Sequence, residues 1–470
     1  MLRRFLIGLG AVSACAHAEL PPIEAYGALP AIDLMTISPS GKRIAYRRSV
    51  DGRDDLLVVD LETLKLAGGA GVSDLSPREL AFVDDDNLIA VARSVRRVWG
   101  YRGQLDYSAA FRLNVPTGEV LQLLVRAKNI YPAQSGLGEI VGVIDGGKRL
   151  LMPAFYSRDP ITVAARYGVY AAPVDSARGV LVERGGLHTI DWFYGKDGNL
   201  LARVDYNDEK NLYRVLADSD SRQVLYERET ELLPAGPVGV MLAGDALVFA
   251  ARAEATDMMS FFRLDTETGD LTGPIMGRDS ASVEQVISDL NRTVYGVRYA
   301  GFLPEYEFFD AELEKRYNRI AADLDGTAAR LVGWSDNFRD IVVHVSGGWA
   351  SGVYLLFSEG VSEPMVLAKE RPDIPADQLA PTQITAYKAS DGLEIPALVT
   401  AMPAVRQAGK APLIVMPHGG PEAYDAFHFD WMAQFFANRG YVVLKPQFRG
   451  SSGFGIEFDR AGLGEWGGKM

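Results

Sequence analysis

Two architectures are predicted in succession: an all-β propeller of seven blades over residues 25–370, then the beginning of an α/β domain over residues 382–470. Three features carry that expectation. A turn-and-strand unit recurs through most of the chain, a proline-rich stretch interrupts it, and beyond the interruption short apolar strands alternate with an amphipathic helix. At 470 residues the chain is too long for one ordinary core, so more than one domain is expected.

Residues 1–18 read as a secretory signal. Arg3 and Arg4 precede a short apolar stretch, and Ala16-His17-Ala18 is a small-residue cleavage site. The apolar stretch is too short to span a bilayer as a helix, and no later one is long enough. Val12-Ser13-Ala14-Cys15 admits a second reading as a bacterial lipobox, in which Cys15 carries a lipid anchor. The plainer reading makes Cys15 one more small residue of the signal. Either way the protein is expected to be exported, periplasmic or secreted. Cys15 is the only cysteine, which leaves the exported chain no disulfide and no thiol nucleophile. Hydrophobic content of 48% with 23% charged residues is that of a soluble globular protein. A formal net charge of −13 gives no electrostatic reason to bind nucleic acid or anionic lipid.

The repeat comes next. Turns rich in Ser, Asp, Gly and Asn, each followed by an aliphatic strand, begin at residues 38, 84, 145, 195, 243, 289 and 336, which is 46 to 61 residues apart. Later strands of the units rhyme too, as in Leu57-Val58-Val59-Asp60, Phe111-Arg112-Leu113-Asn114 and Phe262-Arg263-Leu264-Asp265. A period of about 40–50 residues with several strands per unit marks a β-propeller, because a lone four-stranded blade cannot bury both faces. A run of β-sandwiches would repeat its turns but not the whole unit. In the sixth unit residues 310–320 have helical composition, so an insertion is expected there. Trp192, Trp334 and Trp349 are expected in blade packing, and His188 and His344 beside apolar strands. No cluster has metal-ligand spacing, and no cofactor is called for.

Residues 371–381 carry three prolines and two acids and read as a linker. Ser390-Asp391-Gly392 between two alternating runs signals a β-hairpin. The strand 413–416 then runs into Pro417-His418-Gly419-Gly420-Pro421, as a buried parallel strand delivers a loop to the edge of an α/β sheet. Asp430 is placed to cap a helix on which Trp431, Met432, Phe435 and Phe436 share a face, and residues 441–444 form the next apolar strand. In 448–455 the glycine-rich run lacks the endings of a phosphate loop. Ser451 and Ser452 fail the Gly-x-Ser-x-Gly nucleophile elbow, which occurs nowhere in the chain.

At Pro417-His418-Gly419-Gly420-Pro421, Arg439-Gly440-Tyr441, 448–455 and 461–470 the chain resembles the prolyl oligopeptidase family of serine peptidases, nearest its acylaminoacyl-peptidase and dipeptidyl-aminopeptidase-like bacterial members. The resemblance implies that 382–470 is the N-terminal part of an α/β-hydrolase domain using a Ser-Asp-His triad. It implies short peptide substrates screened by the propeller, and a loop of His418, Gly419 and Gly420 forming one side of the oxyanion hole. Backbone N–H donation is the expected role of that loop. The His418 imidazole is either a further donor or only shapes the turn. The family's nucleophile, acid and base lie beyond Met470, so the chain as given is expected to be incomplete and inactive. Two other readings stay open: a non-catalytic exported propeller that binds ligands and keeps a vestigial hydrolase edge, and an esterase with an appended propeller.

Overall fold

The computed structural model describes residues 20–97, 102–131, 134, 136–158, 164–217, 223–231 and 236–470; the signal segment 1–18, with Cys15, lies outside them. In the propeller the sequence rhyme has a structural cause. Asp60, Asn114 and Asp265 each end the third strand of a blade, and each side chain accepts the backbone N–H three residues on, from Thr63, Thr117 and Thr268 at 2.8, 3.1 and 3.0 Å. After two of these turns Gly118 and Gly269 sit at φ 71° and 81°, left-handed values that glycine adopts without steric cost.

Seven antiparallel sheets follow one another along the chain, over residues 32–71, 76–122, 142–184, 189–229, 237–276, 283–308 and 328–369. The recurring turns at 38, 84, 145, 195, 243, 289 and 336 each lie between the first and second strands of a blade. The recurring signal therefore falls after the first strand of each blade. First strands such as Gly142–Ile144 and Pro237–Val240 are too short to show a pattern, so the turn after them is the first clear signal. Blade 6 has three strands, and the helix Ala311–Asp323 follows them in place of a fourth. Asp310 caps it, accepting from Glu312 and Leu313 N–H at 3.0 Å. Its Leu313, Tyr317 and Ile320, at helical spacing, are buried against blade 7.

Each blade shares an apolar cluster with the next. Leu56 and Val58 meet Phe82 and Leu88; Ile89 meets Leu150 and Tyr170; Leu151 and Val169 meet Trp192; Phe193 meets Phe249. Val248 and Phe261 meet Val294 and Tyr299, and Tyr306 meets Ile341. The ring closes when Val342, Tyr354 and Leu356 of blade 7 pack on Met35, Ile37 and Ile44 of blade 1. Burying each such side chain contributes roughly 1.5–3 kcal/mol, so neighbouring blades supply the partner that each lacks alone. Trp192 is fully buried, Trp334 and Trp349 pack against the blade 6–7 cluster, and His344 lies 3.0 Å from Glu370.

Beyond the linker a four-stranded sheet runs in the order Thr382–Lys388, Glu394–Thr400, Val442–Pro446, Leu413–Val415, and its last pair is parallel. Asp430 caps the helix Trp431–Asn438 as expected, accepting from Met432 and Ala433 N–H at 3.0 Å. The face of that helix is not the expected one. Ala433, Gln434, Ala437 and Asn438 are buried, whereas Trp431 and Met432 are exposed. Small alanines let the helix approach the sheet closely, and Gln434 is satisfied by the backbone of Ala380, donating at 2.9 Å and accepting at 2.8 Å. Phe435 turns to the buried Tyr26 of the N-terminal segment, with ring centroids 5.7 Å apart, and Phe436 to Tyr441. Among the described residues no helix is long and apolar enough to cross a membrane, and no group of His, Cys, Asp and Glu is placed to hold a metal.

Candidate active site

Parallel strands bring the loops at their carboxyl ends together, which is where α/β sheets place ligands. Here those loops are 417–421, after Leu413–Val415, and 447–455, after Val442–Pro446. They meet at His418. Its Nε2 lies 2.8 Å from the Ser451 hydroxyl and its ring stacks on Phe448, with centroids 4.5 Å apart. Ser451 is fully buried, and its hydroxyl is within hydrogen-bond distance of both the Phe448 carbonyl, at 2.6 Å, and His418 Nε2. The other ring nitrogen lies 2.7 Å from the Gly419 carbonyl. The imidazole is therefore engaged with the loop itself and joins the two loops.

Gly419 and Gly420 differ from it. Both are exposed, and neither N–H donates a hydrogen bond among the described residues. Gly420 has φ 134°, and a Cβ there would stand 2.9 Å from Glu422 N, so the chain needs glycine to make this bend. A cavity of about 300 Å³ lies beside the loop, between Pro421, Glu422, Gly450, Asp459 and Trp466. Burial, and then the charge of Glu422, push the Asp459 carboxyl above the usual range.

Buried charges fasten the loop to the sheet. Lys445, in the strand Val442–Pro446, is ion-paired to Asp425 at 2.9 Å and Asp430 at 2.5 Å. Burial acts to lower the Lys445 pKa, but the two carboxylates outweigh it and raise it. Burial likewise acts to raise Asp430, and Lys445 with the helix N–H groups holds it low. His428 is held below the ordinary imidazole value by burial first, then by Lys445 and Arg330. Gln447, just after that strand, clasps the Asp425 backbone, accepting at 2.9 Å and donating at 3.3 Å. The lysine in an otherwise apolar strand was the sequence signal for this cluster. The pairing of Ser451 with His418 had none, since 448–455 reads as a plain glycine-rich turn.

The loop faces the propeller. Tyr424 donates to Glu284 at 2.6 Å, and Glu284 is paired with Arg298 at 2.7 Å, both in blade 6. Phe427 N–H donates to the Phe302 carbonyl at 2.7 Å, Phe454 stacks edge-on against Phe302, and Arg460 pairs with Asp257 of blade 5. Phe429 N–H donates to Ser346 of blade 7 at 2.9 Å. The exposed glycine N–H groups thus belong to a segment whose continuation, residues 424–429, docks on blades 6 and 7.

Comparison with known proteins agrees with this architecture. Residues 427–470 match the sequence model of the prolyl oligopeptidase family. Dipeptidyl aminopeptidase BIII of Pseudoxanthomonas mexicana is 24% identical over 477 residues, covering 97% of this chain and 64% of that protein. Dipeptidyl peptidase family member 6 of Caenorhabditis elegans is 42% identical over 106 residues, 22% of this chain and 14% of its own length. This chain thus spans less than two thirds of the length of these relatives. Among solved structures, puromycin hydrolase superposes with a TM-score of 0.59 over 95% of this chain and 71% of its own, at 16% identity. Acylaminoacyl peptidase in complex with Z-Gly-Gly-Phe-chloromethyl ketone gives 0.59 over 95% and 70%, at 13% identity. Residues 427–470 thus carry the sequence pattern of the prolyl oligopeptidase family, and the whole chain has the fold of the puromycin hydrolase and acylaminoacyl peptidase structures.

Proposed function

We infer that this chain carries the substrate-screening propeller and one half of the oxyanion hole of an exported serine peptidase that cleaves short peptides through an acyl-enzyme. The carrying observation is the pair of unspent, exposed N–H groups of Gly419 and Gly420, on a rigid loop at the carboxyl end of a parallel strand. Preorganised donors of this kind stabilise the oxyanion of acyl transfer and lose nothing to reorganisation during the reaction. His418 serves as a positioning residue: engaged with Ser451 and Phe448, it holds the turn while the backbone donates.

Acyl transfer also needs an activated serine, and no Gly-x-Ser-x-Gly occurs in the 470 residues. The chain alone is therefore inactive in this reading. The test has two parts. A fluorophosphonate probe, which labels activated serines, is applied to the 470-residue protein and to a longer protein encoded by reading the coding DNA past Met470. Dipeptidyl anilides and simple esters are then offered to both. Labelling and anilide hydrolysis by the longer protein alone are expected. Labelling of the 470-residue chain would refute the division of the site, and ester hydrolysis without amide hydrolysis would favour an esterase.

A further inference from the structure

The turns between the first and second strands of blades 1 and 2 bond to each other. Ser40 donates to Asp85 at 2.7 Å and Arg43 to Asp86 at 2.7 Å, joining one blade's turn to the next. The blade-6 turn, residues 289–293, reaches further. Arg292 donates through Nη1 to both oxygens of Asp191 in the first strand of blade 4, at 2.9 and 3.0 Å, and to the Trp192 carbonyl at 3.3 Å. Its Nη2 donates to Glu139, which precedes blade 3. Asn291 accepts from Val143 N–H in the first strand of blade 3 at 2.7 Å. Thr293 bridges to Val240 of blade 5. Blades 3 and 6 are separated by two others around the ring, so bonds between them cross its axis.

The turn lies at the far end of that axis. The hairpins that meet residues 417–460 join second and third strands, at Asp257, Phe302 and Ser346. In an antiparallel blade these stand at the opposite end from the turn joining first and second strands. A cavity of about 210 Å³ abuts the turn on the inner side, lined by Glu79, Ala81 and Val91 of blade 2 together with Glu139, Asp289 and Arg292. Arg292 has a side chain only 17% exposed. A charge so placed is tolerated because two carboxylates and a carbonyl satisfy it, and removing those partners is costly. The turn is thus held across the axis by bonds that do not give way cheaply.

We propose that residues 289–293 plug the propeller axis on the face remote from residues 382–470, with Arg292 as the locking residue. The plug is independent of the peptidase reading, because it can be tested without catalysis. In a Cys15→Ser background, Ala81→Cys puts the only thiol on the wall of the cavity. Its labelling by N-ethylmaleimide and by the bulkier fluorescein-5-maleimide is timed in three proteins: the plug intact, Asn291→Ala/Arg292→Ala, and Glu139→Gln/Asp191→Asn. The last removes the ion pairs at nearly constant shape, and so serves if the first variant fails to fold. The bulky reagent should react about tenfold faster in the unlocked variants, the signature of a barrier removed by local opening, while the small one changes little. Equal bulky-reagent rates in all three folded proteins would overturn the plug. Failure of N-ethylmaleimide to reach the thiol in any of them would overturn the cavity's place on the axis.

Discussion

Lys445, Asp425 and Asp430 form the most consequential charge group near the candidate site. Replacing Lys445 with Met leaves two part-buried carboxylates facing an apolar side chain, a loss of about 3–5 kcal/mol when one partner of a buried pair is removed. Urea denaturation at pH 7 measures it, and a loss below 1 kcal/mol would show that water, not Lys445, satisfies the carboxylates. His428 sets a pH dependence of opposite origin. Its folded-state pKa lies below the ordinary value of about 6.5, so the unfolded chain binds the proton more readily. Stability from this group is complete above that ordinary value and is lost as pH falls through the folded-state pKa. The unfolding free energy should therefore decline between pH 7 and pH 5, and His428→Asn should flatten that decline. A slope unchanged in the variant would assign it to other groups.

In the helix Trp431–Asn438 the large residues mislead. The buried stripe is made of Ala433 and Ala437, so Ala437→Leu should overpack the helix against the sheet and cost about 1–3 kcal/mol. Trp431→Ala, on the exposed side, should change stability by no more than about 0.5 kcal/mol. Chemical denaturation of the two variants decides between the faces, and the reverse ranking would restore the one expected from sequence. The strand Leu413–Val415 is the last in its sheet, with Leu413 and Val415 exposed and its outer backbone edge unpaired among the described residues. Such an edge templates association. Concentrated protein should scatter light increasingly with time, and Leu413→Lys should suppress that growth.

Between the two folded parts the joint combines hydrogen bonds with apolar contact. The propeller closes its ring by clusters in which residues 382–470 take no part, while the α/β part meets blades 5 to 7 through a few bonds and one small apolar cluster of Ala328, Phe302, Leu398 and Phe427. Calorimetry should show two transitions, the α/β part melting first, since the apolar cluster it shares with the propeller is smaller than the one that closes the ring. Tyr424→Phe removes the hydroxyl that donates to Glu284, a phenol whose pKa burial and then that carboxylate push up to about 12. It should lower the first transition by about 0.5–1.5 kcal/mol, the net worth of one hydrogen bond, and leave the second in place. A single transition that shifts as a whole would mean the joint is cooperative. The exposed pair Arg460 and Asp257 should add little, because solvent screens it.

Seven blades, the α/β character of the last residues, the Asp430 cap and the loop bearing His418, Gly419 and Gly420 were all legible in the amino-acid order. Each is written in neighbouring residues: a turn must precede its strand, a cap its helix, and a glycine must stand where the bend requires it. The first strands of the blades were not legible, because strands as short as Gly142–Ile144 carry no pattern. The buried face of the helix was misread because hydrophobicity ranks Trp431 above Ala437, whereas the distance between helix and sheet favours the smaller side chain. The engagement of His418 with Ser451, the clasp of Lys445 on Asp425 and Asp430, and the reach of Arg292 to Asp191 and Glu139 appeared only once the chain was folded. Their partners stand 15 to 153 residues apart. No local preference records such a pairing, since what selects it is the satisfaction of charge and hydrogen bonds that burial removes from water.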